Sequence, residues 1–180
     1  MVILKIFLVI VTIMYPFLVY FGLTHFDSTF VLFFIITLLM IKGLTERRKH
    51  TRKIIFVAVV GMVVIAYFWG NQQGLKFYPV LVNAAMLLVF ASSLYSGQPI
   101  IERIARLKEP DLPETGVSYT RKVTVVWCAF FTLNGFIALF TALWASDEAW
   151  LFYNGFFAYV LIGLLVTTEW IIRHRVKNKA

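Results

Sequence analysis

Four polar side chains interrupt stretches of sequence that are otherwise apolar: Asn83, Asn134, Asn154 and Glu169. In such surroundings an amide side chain can form a hydrogen bond to a neighbouring helix, which stabilises the helix pair by about 0.6 to 2 kcal/mol. Alternatively, it can line a polar pocket that a lipid head group could enter. Residue counting places Asn83 and Asn154 near one level and Asn134 closer to the middle, so the three amides could meet in one layer. Together with Glu169 they form the candidate polar cluster.

Two of these amides precede a glycine, in Asn134-Gly135 and Asn154-Gly155. The short turn 146–148 lies between the two apolar stretches and makes them antiparallel neighbours. Glycine lets helix backbones approach closely, and asparagine side chains then find partners across the gap. The pattern favours hydrogen bonds between helices, and the alternative is a pocket that takes an amphiphile.

Glu169 is the only carboxylate within a predicted span, and Arg173 follows four residues later. This spacing puts both side chains on one face of a helix and predicts a salt bridge near the membrane interface. The alternative is an intramembrane carboxylate that faces a cavity.

The sequence offers no set of residues that could carry out catalysis. Cys128 is the single cysteine, and His25, His50 and His174 are scattered over both ends of the predicted bundle. Catalysis needs at least a pair of acid and base groups, and the apolar stretches supply one carboxylate. We predict a protein that is not an enzyme and that has no cofactor and no metal site.

Composition places these residues in a membrane. Of the 180 residues, 61% are apolar and 14% are charged, and the mean hydropathy is +0.83. A soluble globule of this size could not bury so much hydrocarbon, and a single cysteine excludes a disulfide scaffold. We predict one all-α integral membrane domain over residues 1–180, a polytopic transmembrane helix bundle with six spans at residues 6–23, 29–41, 54–69, 77–95, 123–145 and 149–172.

The second and third predicted spans, 29–41 and 54–69, are short for a bilayer. At 1.5 Å per residue they cover about 20 and 24 Å, against a hydrocarbon core of about 30 Å. They must therefore borrow polar flanking residues or thin the membrane locally.

The basic residues predict an orientation. Sixteen of the seventeen lysines and arginines fall at one end of the predicted bundle, and Lys76 alone falls at the other. Under the positive-inside rule both termini are cytoplasmic, as expected for a multi-pass protein of the bacterial inner membrane. The pI near 9.7 thus describes one face of a membrane protein, and no nucleic-acid-binding motif is present.

The longest polar interval, residues 96–122, separates spans four and five. Apolar residues at helical spacing after Pro99 predict a short amphipathic helix on the inner leaflet, and the two prolines that follow predict an extended strap to Gly116. The interval could be a simple connector or a site for anionic lipids or an acidic protein such as an acyl carrier. Its candidate cytoplasmic interaction face comprises Arg103, Arg106, Lys108, Arg121 and Lys122.

Several short motifs stand out in the second half of the chain: Phe77–Asn83, Ile101–Leu107, Glu109–Pro113, Tyr119–Thr124, Val126–Cys128, Phe130–Phe131 and Tyr153–Gly155. Together they resemble a group of small Gram-negative inner-membrane proteins whose genes commonly accompany those for aryl-polyene or related fatty-acid-like lipid synthesis. The resemblance covers most of the chain and is densest from Phe77 to Arg175. It implies a role in lipid biogenesis without a defined reaction.

Four further features lie in the same half of the chain: the entry to a span from Lys76 to Pro79, the interfacial piece from Pro99 to Arg103, a Leu-Pro strap, and Trp-x-x-Phe-Phe from Trp127 to Phe131. Through them the chain is more distantly similar to the YciB, or intracellular septation protein A, family of envelope proteins. This resemblance implies a role in the cell envelope.

From these observations we predict a non-catalytic inner-membrane protein that supports the biogenesis of envelope lipids or of amphiphilic, aryl-polyene-like lipids. The predicted partners are membrane lipids, above all anionic ones, an acidic cytoplasmic protein or other envelope-biogenesis membrane proteins, and the chain could form oligomers. The alternative is a small lipid or solute transporter, or a flippase-like component, in which the candidate polar cluster lines a path.

Overall fold

The computed structural model describes residues 14–107 and 109–177. Their regular structure is helical. In chain order the elements are α1 (Tyr15–His25), α2 (Ser28–Thr45), α3 (Lys49–Trp69), α4 (Asn71–Lys76), α5 (Tyr78–Tyr95), α6 (Ile100–Arg106), α7 (Glu114–Trp144), α8 (Asp147–Leu151), a π-helical turn (Phe152–Phe157) and α9 (Ala158–Lys177).

Five helical segments of the described residues are long and apolar enough to cross a membrane: Ser28–Thr45, Thr51–Trp69, Asn71–Tyr95, Glu114–Trp144 and Asp147–Arg173. They coincide with the second to sixth predicted spans and confirm an all-α polytopic bundle. Of the first predicted span, residues 15–23 belong to α1, and residues 6–13 lie outside the described part of the chain.

The second and third spans are longer than predicted. α2 has 18 residues and α3 has 21, which correspond to about 27 and 32 Å. Asp27 caps the start of α2, where its side chain accepts a hydrogen bond from the amide of Thr29. α2 continues past Lys42, and α3 begins at Lys49. Both helices therefore include polar residues that flank the predicted apolar spans, as was expected for spans too short to cross the bilayer.

The polar interval before the fifth span is shorter than predicted. α7 begins at Glu114 rather than at residue 123, so the expected extended strap is wrong beyond Pro113. Pro113 is well placed just before a helix, because proline lacks the N–H that a first turn leaves unbonded, and Glu114 suits the positive end of the helix dipole. The predicted turn 146–148 is also shifted, since Ser146 caps α8, which already includes Asp147.

The described residues divide into two compact units, and the division falls within α5, α7 and α9. The first unit comprises the residues up to Leu81 together with Ile137–Val160, and the second comprises Val82–Phe136 and the residues from Leu161 onward.

In the first unit, the short helix α4 turns back against α3. Gly70, at φ +92°, makes the turn, in a left-handed conformation that glycine adopts without strain. A Cβ on Gly74 would lie 2.7 Å from the Cβ of Ala66 and 2.8 Å from the carbonyl oxygen of Met62, so the two helices touch at backbone distance. The buried Tyr15 hydroxyl of α1 donates to the carbonyl of Leu75 at 2.9 Å, which ties α1 to the same helix.

In the second unit, aromatic side chains join α5 to α7. The ring of Phe90 lies 5.1 Å from that of Phe131 and 6.1 Å from that of Trp127, between centroids. Such edge and tilted contacts favour one arrangement of the two helices. The Tyr119 hydroxyl of α7 donates to the backbone carbonyl of Glu169 in α9 at 3.2 Å.

Candidate functional site

Two of the predicted cluster residues meet within the second unit. The side-chain amide of Asn134, on α7, donates to the carbonyl oxygen of Asn83, on α5, at 3.0 Å. Both side chains are buried. A Cβ on Gly135 would lie 3.2 Å from the Cβ of Asn83, so the missing side chain at Gly135 permits this approach. The hydrogen bond between the two amides therefore joins α5 to α7.

The third asparagine has its own partners in the first unit. Asn154 is buried within the π-helical turn Phe152–Phe157, and its amide donates to the Thr141 hydroxyl at 3.1 Å and to the Trp150 carbonyl at 2.9 Å. π-Helical turns leave backbone groups out of register and recur at functional sites. The bond between Asn154 and Thr141 joins the last two spans.

The first unit also holds a buried ion pair that sequence reasoning missed. The Lys76 ammonium, whose side chain is 6% exposed, pairs with the Asp147 carboxylate, which is 36% exposed. The Gln72 side chain donates to the same carboxylate at 3.1 Å, and the Trp150 indole donates to the Lys76 carbonyl at 3.2 Å. The available signal was charge: Lys76 is the one basic residue that the sequence places at its end of the bundle, and the turn 146–148, which contains Asp147, joins the fifth and sixth predicted spans at the same end.

Glu169 is half-buried in α9. The salt bridge that its spacing to Arg173 predicts is not among the ion pairs that the described residues form. Helical spacing brings two long side chains within reach, but both retain rotamer freedom, so the pair gains little when either can point to solvent. Of the predicted cluster, the structure thus gives hydrogen-bonded partners to the three amides and leaves the Glu169 carboxylate without its expected cation.

On the candidate cytoplasmic face, two arginines are held by polar contacts. Arg103 donates to the Gln98 carbonyl and to the Ser96 hydroxyl, each at 2.8 Å. Arg106 donates to the Glu102 carboxylate and to the Pro110 carbonyl, also at 2.8 Å. These bonds fix both ends of α6.

The other three residues of the candidate cytoplasmic face are Lys108, Arg121 and Lys122. Arg121 and Lys122 are exposed on α7, and Lys108 lies outside the described residues. Arg121 and Lys122 are therefore two described members of this face whose side chains are exposed.

The predicted amphipathic helix, α6, exposes the end of its apolar stripe and buries an acidic residue. Glu102 and Ala105 are buried, at 2% exposure each, whereas Ile104 is 53% and Leu107 is 84% exposed. Arg106 neutralises Glu102 through one carboxylate oxygen, while the other has no hydrogen-bond partner within the described part of the chain. The helix thus anchors itself through an ion pair and presents apolar side chains outward.

In the part of the chain that the structure describes, no three histidine, cysteine, aspartate or glutamate side chains come together as a metal site would require. Cys128 is a free, half-buried thiol in α7. Within the described residues, the structure thus shows hydrogen-bonded amides, two ion pairs and exposed basic side chains.

Five apolar helical segments of this length within the described residues define a polytopic integral membrane protein. No family model matches the chain, and no solved structure matches it. The inner membrane-spanning protein YciB is 30% identical over 128 residues in Escherichia coli O1:K1, strain SMS-3-5 and O45:K1, covering 67% of this chain and 67% of each relative. The chain belongs to the YciB family and is an inner-membrane protein.

This membership confirms the more distant of the two resemblances seen in the sequence. The association with aryl-polyene lipid genes stays a prediction.

Proposed function

We propose that the protein is a non-catalytic inner-membrane component that supports the biogenesis of envelope lipids, including an amphiphilic, aryl-polyene-like product. The observation that carries this proposal is the surface of α6. Its polar Glu102 faces inward, while Ile104 and Leu107 are exposed beside Arg103. Exposed apolar side chains flanked by arginine suit the boundary between head groups and acyl chains of an anionic membrane.

Charge supports the same proposal. Arg121 and Lys122 are exposed in the unit that contains α6, and each basic residue near an anionic surface contributes about 1 kcal/mol of attraction. The same patch suits an acidic protein, such as an acyl carrier, that delivers a lipid precursor to the membrane. Membership of the YciB family makes this chain an inner-membrane protein, which is compatible with a role at a lipid surface.

The direct test is deletion of the gene, followed by profiling of envelope lipids and pigments. We expect a changed lipid or pigment profile, which the intact gene restores. An unchanged profile together with an intact envelope would contradict the proposal.

Orientation is a separate part of the proposal, because the basic face must lie in the cytoplasm. Alkaline phosphatase is active only outside the cytoplasm, so a fusion after Gly70, the exposed turn between α3 and α4, should be active. A fusion after Ala180 should be inactive. Activity at Ala180 would contradict the proposed orientation.

The alternative function is a small transporter or flippase-like component. The observation that favours it is the π-helical turn at Phe152–Phe157 with its buried Asn154, since such turns recur at functional sites. Glu169, the carboxylate of the last span, would then face the transported group. Loss of transport in Glu169→Gln would support this function, and full activity of that variant would contradict it.

A further inference from the structure

A groove runs between α2 and α3 in the first unit. Its walls include Leu32, Ile36, Val63 and Tyr67, and Thr29 and Asn71 line it as polar residues; it encloses about 230 Å³. We call this the α2–α3 groove. Its apolar walls suit one hydrocarbon chain, and its two polar residues suit a head group.

The polar residues of the groove form a connected chain of hydrogen bonds. The Asn71 side chain donates to the Thr29 hydroxyl at 2.8 Å, and the Thr29 amide donates to the Asp27 carboxylate at 2.7 Å. Asp27 is exposed, and it takes part in none of the ion pairs that residues 14–107 and 109–177 form. The groove therefore opens beside a negative charge that has no cation of its own.

Aromatic residues show where this opening lies with respect to a membrane. Tyr67 lines the groove and is 83% exposed, and Trp69, the last residue of α3, is 69% exposed. Exposed tyrosine and tryptophan at a helix end are typical of the level of the lipid head groups. The groove thus extends from head-group level, beside Asp27, along the apolar surface of two spans.

We propose that the α2–α3 groove holds one acyl chain of a phosphatidylethanolamine, whose ammonium group pairs with Asp27. A primary ammonium donates three hydrogen bonds to carboxylate and hydroxyl oxygens, which a quaternary choline group cannot do. An anionic lipid lacks the complementary charge and is repelled by the carboxylate. This inference goes beyond the proposed function and does not depend on it, because it concerns a different surface and a lipid of different charge.

The proposal is tested with the full-length protein in vesicles containing equal amounts of phosphatidylethanolamine and phosphatidylcholine. The protein is extracted with mild detergent, and the retained lipids are counted by native mass spectrometry. Val63→Phe fills the groove and should remove the retained phosphatidylethanolamine. Val64→Phe is the matched control, since Val64 is about equally exposed but does not line the groove.

A second pair of variants tests the head-group contact. Asp27→Asn keeps a good helix cap but removes the charge, so the preference for phosphatidylethanolamine over phosphatidylcholine should fall about two- to fivefold, as for one exposed ion pair. Glu148→Gln, which neutralises another exposed carboxylate of the same unit, should leave the preference unchanged.

Two results would overturn the proposal. Equal lipid retention by Val63→Phe and Val64→Phe would show that lipid binds only as a general annulus. Equal lipid preference in Asp27→Asn and Glu148→Gln would show that Asp27 does not recognise the ammonium, and this outcome is decisive even if Val63→Phe fails to fold.

Discussion

The amide of Asn134 donates to the carbonyl oxygen of Asn83 at 3.0 Å, and both side chains are buried between two membrane-spanning helices. If this bond only joins the helices, Asn134→Leu should lower the free energy of unfolding in detergent by about 0.6 to 2 kcal/mol. The lipid phenotype should persist, because apolar packing partly replaces one hydrogen bond. Thermal unfolding and lipid profiling of one variant measure both effects.

Asn83→Leu provides the matched control for this prediction. The double variant should lose less stability than the sum of the single losses, since both remove the same bond. A protein that is stable but inactive after Asn134→Leu would instead show that the pair belongs to a binding site.

Asp147→Asn should destabilise the protein because it leaves the Lys76 ammonium buried without its counter-charge. We expect a loss of about 1 to 3 kcal/mol, less than the roughly 3 to 5 kcal/mol for breaking a fully buried ion pair, because Asp147 is itself partly exposed. Glu148→Gln removes a charge from the same first turn of α8 and controls for the helix dipole. Equal unfolding temperatures for the two variants would show that the ion pair contributes nothing specific.

Gly74→Ala should also be destabilising, because the new Cβ would lie 2.7 Å from Ala66 and 2.8 Å from a backbone oxygen. Forcing α4 away from α3 should cost about 1 to 3 kcal/mol. Gly163→Ala is the control, since nothing lies within 4 Å of its added Cβ, and it should be neutral or stabilising by up to about 1 kcal/mol. Unfolding temperatures that fall equally in both variants would contradict the close contact.

On the acid side of neutrality, the lipid preference of the α2–α3 groove should be lost only when Asp27 is protonated. Hydrogen bonding from the side chain and then the backbone amide of Thr29 lowers the pKa of Asp27 from its ordinary value of 3.8. The attraction of the ionised Asp27 carboxylate for an ammonium group is therefore complete above the ordinary pKa of an aspartate. It is lost as the pH falls through the lowered pKa of Asp27.

Phosphatidylethanolamine retention by the native protein should therefore be constant from about pH 7 to about pH 5. Native mass spectrometry across that interval measures it. A preference that fades within the interval would assign lipid recognition to a group that titrates nearer neutrality than Asp27.

Much of the fold follows from the sequence because the membrane imposes a simple rule. Each span must satisfy its own backbone hydrogen bonds, so long apolar runs become helices. Five of the six spans predicted from the sequence overlap apolar helical segments of the described residues. Helix ends were less predictable. α7 starts at Glu114 because helical hydrogen bonding continues into polar sequence that hydropathy alone assigns to a loop.

Side-chain partners were harder to predict than spans. The bond between Asn83 and Asn134 follows from the rule that buried amides form hydrogen bonds. The partner of Asn154 depends on a π-helical turn, which no sequence pattern predicts. The pairing of Lys76 with Asp147 joins residues 71 positions apart, and it required the packing of α4 and α8 to be known. Periodicity grouped the apolar residues of α6 on one face, but it did not predict that Glu102, on another face, would be buried.

The most direct test of the account concerns the two exposed cations of the basic face, Arg121 and Lys122. A strain without the gene is complemented with Arg121→Gln/Lys122→Gln, and with Arg47→Gln/Arg48→Gln, which removes two charges that are also exposed, between α2 and α3. We predict that the first variant, at normal protein levels, fails to restore the envelope lipid profile, whereas the second restores it. Restoration by both variants, or failure of both alike, would contradict a lipid-directed role for this face.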